Sequence, residues 1–321
     1  MVKKAELHVH LEGTATPALV RQMASRNGAT LDFAIFKSDG EFAWTDFWEF
    51  LDCYDKAAAT ILTKDDYRLV TYDYLARCAR EDTIYVEMFS SPDHAAEVGM
   101  SYKDHLDGIA AGIDDARKDF GIEGRIIVTC VRHFGADRAL AVANLVASNP
   151  HPYVVGFGMG GDESRFHPAD FAPAFHLAKK AGYQTTNHAG EFAGPESIRA
   201  TLGTLPISRI GHGVRAIEDD DLLEELADRR IPLELCPGSN VATGLYESRE
   251  KHPFRRFMDA GRVVTLNSDD PPYFATSIGR EYEQAVKNYG LSETALKNIT
   301  RNAISSAFCD EELKARLLSR I

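Results

Sequence analysis

The chain has 321 residues, 44% of them hydrophobic and 26% charged, which is ordinary for a globular protein and enough for one large domain or two modest ones. Its 48 Asp and Glu against 36 Lys and Arg leave a formal charge of −12, which argues against a nucleic-acid polymer as ligand, because phosphate binding needs a basic groove. No apolar run approaches the ~18 residues that cross a bilayer, so no membrane partner is expected.

The N-terminus, Met1-Val2-Lys3-Lys4, runs straight into the first predicted strand, without an apolar signal core or Arg/Ser-rich transit character. A cytoplasmic location is expected. Cys53, Cys78, Cys130, Cys236 and Cys309 are odd in number, widely spaced and without a CxxC pair, so reduced thiols are expected.

In chain order the predicted strands are 5–10, 83–90, 124–132, 154–160, 184–189, 209–214, 232–236 and 262–268. Helical sequence follows most of them, as at 139–148, 173–181 and 219–228. Eight alternations of this kind predict a (β/α)8 TIM barrel of the metal-dependent hydrolase type, one domain over 1–321. A doubly wound sheet is the alternative, but no GxGxxG follows the first strand.

One connection is out of proportion. Roughly residues 14–82 separate the first two strands, far beyond a usual crossover. Within it Phe47, Phe50, Leu51 and Tyr54 fall at i, i+3, i+4 and i+7, and a second helix is predicted near 65–81, so this is a folded helical insertion. The aromatic stripe reads as core packing, or as a roof over the barrel mouth.

The first strand carries His8, His10 and Glu12 on one face and Leu7, Val9 and Leu11 on the other. Alone, His-Val-His reads more readily as a half-exposed strand with two polar-side histidines than as a metal site. Other chemistry collects at four more strand ends: Gly161-Asp162-Glu163, His188-Ala189-Gly190-Glu191, Gly211-His212-Gly213 and Ser268-Asp269-Asp270-Pro271. The glycines around His212 fit a tight turn, and Asp-Asp-Pro fits a helix N-cap. In a (β/α)8 barrel, however, the C-terminal strand ends share one face, where active sites lie.

His8, His10, His188 and Asp269 together offer three nitrogens and one carboxylate. That set suits one zinc, or another divalent first-row metal, with a position left for water, whose pKa zinc lowers to roughly 7. His212 is then placed as base or orienter, and Glu191 as general acid. The fourth strand ends without a lysine to bridge two metals, so one metal is expected. Cys236 reads as a buried strand residue rather than a ligand.

These motifs, H-x-H-L-E-G, G-D-E, H-A-G-E, G-H-G, C-P-x-S-N and S-D-D-P in that order, resemble the adenosine deaminase family of the amidohydrolase superfamily over nearly the whole chain. The resemblance implies zinc on His8, His10, His188 and Asp269, and a protonated Glu191 that donates to purine N1. It also implies His212 and Asp269 assisting attack at C6, Asp270 at N7 and the Gly161 N–H at N3. His10, Glu12, Gly161 and Asp270 are the substrate-facing residues. The expected partner is a small purine.

Two features of the resemblance conflict over substrate. Adenosine-specific members usually carry Asp where this chain has Glu12, whereas members acting on free adenine carry Glu. Gly161-Asp162-Glu163 is the adenosine-type sequence, and because that loop borders the purine and sugar region the reading leans to adenosine and deoxyadenosine, converted to inosine and ammonia. The alternatives are an adenine or modified-adenine deaminase and, from another class, a catalytically inactive barrel acting as a binding protein.

Overall fold

The strands are β1 (Lys4–Glu6), β2 (Thr83–Ser90), β3 (Glu123–Val131), β4 (Val154–Gly160), β5 (Gln184–Ala189), β6 (Arg209–His212), β7 (Leu233–Leu235) and β8 (Val264–Leu266). They form one sheet in sequence order, every neighbouring pair parallel. The computed structural model describes residues 2–37 and 40–321. Met1, Ser38 and Asp39, included in the predicted 1–321 domain, lie outside the described residues. Past β1 the chain stays extended. His10 N–H donates to the Asp269 carbonyl at 3.0 Å, and Asp269 N–H donates to that of His8 at 3.2 Å. These bonds join β8 to the first strand, giving the (β/α)8 barrel the alternation predicts.

β3 begins and ends one residue earlier than predicted, and β1, β6, β7 and β8 are shorter, with a local cause visible at β1 and β6. The β1 ladder stops at Glu6 because Leu7 N–H donates to the Asn267 side chain, at 2.9 Å, instead of a strand carbonyl. β6 ends at His212, where φ turns to 56° and Gly213 follows at 67°. The alternation still holds along the first segment. Leu7, Val9 and Leu11 are fully buried in apolar clusters, while His8 and His10 turn into the barrel mouth.

Among the described residues, three α-helices fill the long connection: α1 (Pro17–Asn27), α2 (Phe47–Ala58) and α3 (Lys64–Arg80). Local chemistry starts each. Thr16 caps α1 ahead of Pro17, Asp46 accepts from the N–H groups of Trp48 and Glu49, and Thr63 with Asp66 forms a capping box. The helices predicted later in the chain lie at Ala136–Ser148, Ala172–Lys180 and Asp220–Asp228. The C-terminal helices, Glu293–Ser306 and Glu311–Leu318, pack Ala303, Ile304, Leu313 and Leu317 against Ala5, Leu7, Ile84 and Tyr85, around the start of β1 and β2. Among the described residues, no helix is long and apolar enough to cross a membrane.

Candidate metal centre and active site

The donor atoms of His8, His10, His188 and Asp269 all lie within 4.8 Å of one another. His10 Nε2 and His188 Nε2 are 3.1 Å apart. Asp269 Oδ1 lies 3.5 Å from His8 Nε2 and 3.4 Å from His10 Nε2. Two of the rings are oriented from behind. His8 Nδ1 donates to Glu234 Oε2 at 2.7 Å, and His188 Nδ1 donates to the Met159 carbonyl at 2.8 Å. Both partners only accept, so Nδ1 holds the hydrogen and Nε2 turns its lone pair to the centre.

His8 Nε2 is buried and has no hydrogen-bond partner. An unsatisfied buried acceptor costs about 1–3 kcal/mol, which a cation at the centre removes. The residues therefore fit a divalent metal, with zinc best matched to three imidazoles and a carboxylate.

The backbone is shaped to the rings. A Cβ on Gly211 would lie 3.0 Å from His8 Cε1, so that position must be bare for the imidazole to seat. His212 and Asp269 both hold positive φ, 56° and 65°. Each is a strained conformation for its residue type, costing on the order of 1–3 kcal/mol, at a point where a side chain must turn into the site. The tight turn read at His212 is therefore real, and it aims the ring. The N-cap reading of Asp-Asp-Pro does not hold, because Asp269 faces the histidines and buried Asp270 lines the cavity, its Oδ1 unpartnered. A Cβ at Gly13 would sit 1.8 Å from that oxygen, so Gly13 makes its room.

His212 Nε2 stands 3.5 Å from Glu191 Oε2 and 3.9 Å from Asp269 Oδ2. Burial, with the charges of Asp269 and Glu163 nearby, holds the Glu191 carboxyl well above the usual carboxylate range. Burial and the Asp269 charge likewise push Asp270 up. Burial pushes His212 down to about 3, which keeps the imidazole neutral.

A cavity opens above the centre, and Glu12, Gly161, Glu191, His212 and Asp270 line it. Phe47, Phe50, Leu51 and Tyr54 of α2 line its outer side, and Phe47 meets Phe192 with ring centroids 4.4 Å apart. The aromatic stripe is thus a roof as well as packing. Glu12 is buried in the wall. Its Oε1 accepts from Ser90 Oγ at 2.6 Å and from the Tyr67 hydroxyl at 3.2 Å, and its Oε2 from the Tyr54 hydroxyl at 3.5 Å.

The loop after β4 behaves differently from the sequence reading. Gly161 lines the cavity, but the carboxylates of Asp162 and Glu163 turn into the protein. Asp162 accepts from the Ser164 N–H and hydroxyl. Glu163 accepts from the backbone N–H groups of Gly190, Glu191, Phe192 and Ala193 and from Ser197 Oγ. Its work is to hold the loop that carries Glu191. The sequence reading missed Glu163 in this role, and it missed Glu234 behind His8 altogether. The available signal for Glu234 was a lone carboxylate at the centre of Leu233-Glu234-Leu235, a strand otherwise apolar. Cys236 also lies nearer the centre than expected. Its sulfur shares a 4.8 Å span with donor atoms of His8, His212 and Asp269. All five cysteines are free and buried.

An eight-stranded parallel barrel with a His/His/His/Asp centre at the C-terminal ends of its strands defines a metal-dependent hydrolase of the amidohydrolase superfamily. The family model for adenosine deaminase matches residues 3–321, and the chain belongs to that family. It is 49% identical to an adenine deaminase from Chelativorans sp. (strain BNC1), an alignment covering 100% of this chain and 98% of the relative. Among solved structures it resembles the adenine deaminase of Arthrobacter aurescens, with a TM-score of 0.92 and 30% identity, covering 99% of this chain and 98% of that one. A zinc-bound amidohydrolase from Burkholderia ambifaria superposes with a TM-score of 0.89 at 26% identity, covering 99% of this chain and 89% of that one.

Proposed function

We propose that the protein is an adenine aminohydrolase, converting adenine and water to hypoxanthine and ammonia. The observation that carries this is the state of Glu12. Its carboxylate is buried in the cavity wall and accepts from three protein hydroxyls, so it occupies space that a ribose would need and has little capacity left to bind one. The lean to adenosine rested on the Gly161-Asp162-Glu163 loop facing the sugar. With both carboxylates turned away, that support is gone. The 49% identical relative, itself an adenine deaminase, agrees with the free-base reading.

In this reading, His8, His10, His188 and Asp269 hold the metal. When bound, the metal activates a water by lowering its pKa. Glu191, kept protonated by its buried and negatively charged surroundings, gives its proton to N1, making C6 a better electrophile. Neutral His212 and Asp269 orient the water toward C6, take its proton and pass it to the exocyclic nitrogen, which leaves as ammonia, while the C6 hydroxyl proton returns to Glu191 as the carbonyl forms. Asp270 hydrogen-bonds N7, the Gly161 N–H meets N3, and His10 flanks the reacting carbon. The aromatic roof excludes water from the bound base. A cytoplasmic location belongs with this proposal.

The test is a side-by-side measurement of kcat/KM for adenine, adenosine, deoxyadenosine and N6-methyladenine on zinc-loaded protein. Adenine is expected to be preferred over adenosine by at least ~10²-fold, on the scale a site achieves when its buried groups reject a misfit. Adenosine turned over as well as adenine would overturn the reading, and no turnover of any purine would return the inactive-barrel alternative.

A further inference from the structure

Behind the metal centre lies a charged group that the proposed reaction does not use. Arg209, on β6, is 1% exposed. Its Nε donates to Glu234 Oε1 at 2.5 Å, and its Nη2 stands 2.8 Å from Glu87 Oε2 as an ion pair outside hydrogen-bond alignment. Glu234 is the carboxylate whose other oxygen takes the His8 Nδ1 hydrogen at 2.7 Å. The guanidinium is pinned on its far side as well. Its Nη1 donates to the Ser306 carbonyl at 2.8 Å, and its Cζ lies 3.5 Å from the centroid of the Phe308 ring. Glu87 Oε1 accepts from the Tyr85 hydroxyl at 2.7 Å and from the Phe308 N–H at 2.5 Å.

We propose that Arg209 is a positioning residue for the metal ligand His8: its guanidinium holds Glu234 through Oε1, and Glu234 fixes the His8 ring through Oε2. The chain of contacts is continuous and dry. His8, Glu234, Glu87 and Arg209 are all at most 1% exposed, so no solvent screens the pairs. Without the guanidinium, Glu234 loses the charged partner on Oε1, and the His8 ring that its Oε2 holds is less firmly aimed. Arginine suits the position because one planar fork reaches two carboxylates and a carbonyl at once and stacks on a ring, which lysine cannot do. The segment after the Glu293–Ser306 helix holds the guanidinium in place. The C-terminus of the chain is in this way tied through three side chains to the first metal ligand.

The experiment measures zinc affinity, by competition with a chromophoric chelator, for the wild type, Arg209→Gln, Glu234→Gln and Glu87→Gln, with folding followed by circular dichroism. Visible spectra of the cobalt(II)-substituted proteins report the ligand field. Arg209→Gln and Glu234→Gln are expected to bind zinc 10–100-fold more weakly, the usual cost of losing an outer partner of a metal-bound histidine, and to shift the cobalt bands. Glu87→Gln breaks the other ion pair of the same network and is expected to lower Tm while leaving zinc affinity unchanged within error. Wild-type affinity in Arg209→Gln overturns the proposal, as does an equal loss in Glu87→Gln, since the network would then act only by holding the fold. If Arg209→Gln does not fold, the double variant Arg209→Met/Glu87→Gln carries the test, because it removes the charge together with one of the two carboxylates it neutralises. The same 10–100-fold loss is expected there, and unchanged affinity overturns the proposal. No substrate enters these measurements, so their outcome is independent of whether adenine is the substrate.

Discussion

Ser90 Oγ lies 2.6 Å from Glu12 Oε1, and His105 Nε2 lies 2.7 Å behind it on the same hydroxyl. The serine has one hydrogen to give, and Glu12 takes it, so His105 must donate to the serine oxygen. A buried His–Ser–Glu chain thus fixes the carboxylate on which the proposed preference for the free base rests. Glu12→Asp withdraws that carboxylate by one methylene. The ratio of kcat/KM for adenosine over adenine is expected to rise ~10-fold or more, the discrimination one methylene commonly carries. Ser90→Ala, which loosens Glu12 without shortening it, is expected to move the ratio the same way by less. An unchanged ratio in Glu12→Asp would remove that residue from substrate selection.

The barrel and the convergence of His8, His10, His188 and Asp269 were legible in the sequence because both are written locally. Each strand announces itself by a short apolar or β-branched run, and each of the four donors sits at or just past the C-terminal end of a strand, where topology alone brings strand ends together. Side-chain direction beyond a strand end is not written locally. Gly161 turns the chain with φ at 96°, and only the fold shows that Asp162 and Glu163 then face inward. Glu234 was illegible for a related reason. Its meaning lies in His8, 226 residues away, and in Arg209 on the neighbouring strand.

Glu191→Gln keeps the shape of the side chain and removes its proton. Metal content is expected to stay at the wild-type level, while kcat falls ~10²–10⁴-fold, the usual worth of general acid catalysis. The raised Glu191 carboxyl also sets a direction with pH. Activity depends on the protonated form, so it is expected to decline as pH rises through the elevated value. Wild-type kcat in Glu191→Gln, with adenine saturating, would contradict the role of this residue.

Asp269→Ala removes the one carboxylate of the centre and is expected to lose zinc together with activity. The same ion stabilises the fold, because it binds the native donors and not the unfolded chain. Chelation of the wild type is therefore expected to lower Tm, and added zinc to restore it, whereas chelator should leave the Tm of Asp269→Ala unmoved. Zinc retained by that variant at wild-type affinity would exclude Asp269 as a ligand.

Glu163 is tested as the holder of the Glu191 loop. Four backbone N–H groups and the Ser197 hydroxyl converge on its carboxylate, and hydrogen bonds to a charged group are worth about 1.5–3 kcal/mol each. Glu163→Gln replaces one acceptor oxygen with a donor that points at N–H groups, so the loop must shift. A displacement near 1 Å of a catalytic group costs about 10²-fold in rate. The expected result is a lower Tm and a kcat reduced by that order, with zinc content and KM for adenine near wild type. A fall confined to Tm would assign Glu163 to stability alone.

His105 gives the protein an acid limit. It is fully buried, and burial pushes its imidazole down to about 3, with the neighbouring His94 adding to the effect. The unfolded chain takes up that proton near pH 6.5, so below this pH the unfolded state binds more protons than the folded one. Stability from this group is complete above pH 6.5 and is lost as pH falls from there toward 3, at up to ~1.4 kcal/mol per pH unit. His252, also held near 3 by burial, adds to the same slope. Glutamine at position 105 can still donate to Ser90 but does not titrate. Between pH 6 and 4, urea unfolding of the wild type is expected to lose stability more steeply than that of His105→Gln, by about one proton. Parallel curves for the two proteins would show that His105 already binds a proton in the folded state, and the Ser90 hydrogen-bond assignment would then have to be redrawn with both ring nitrogens as donors.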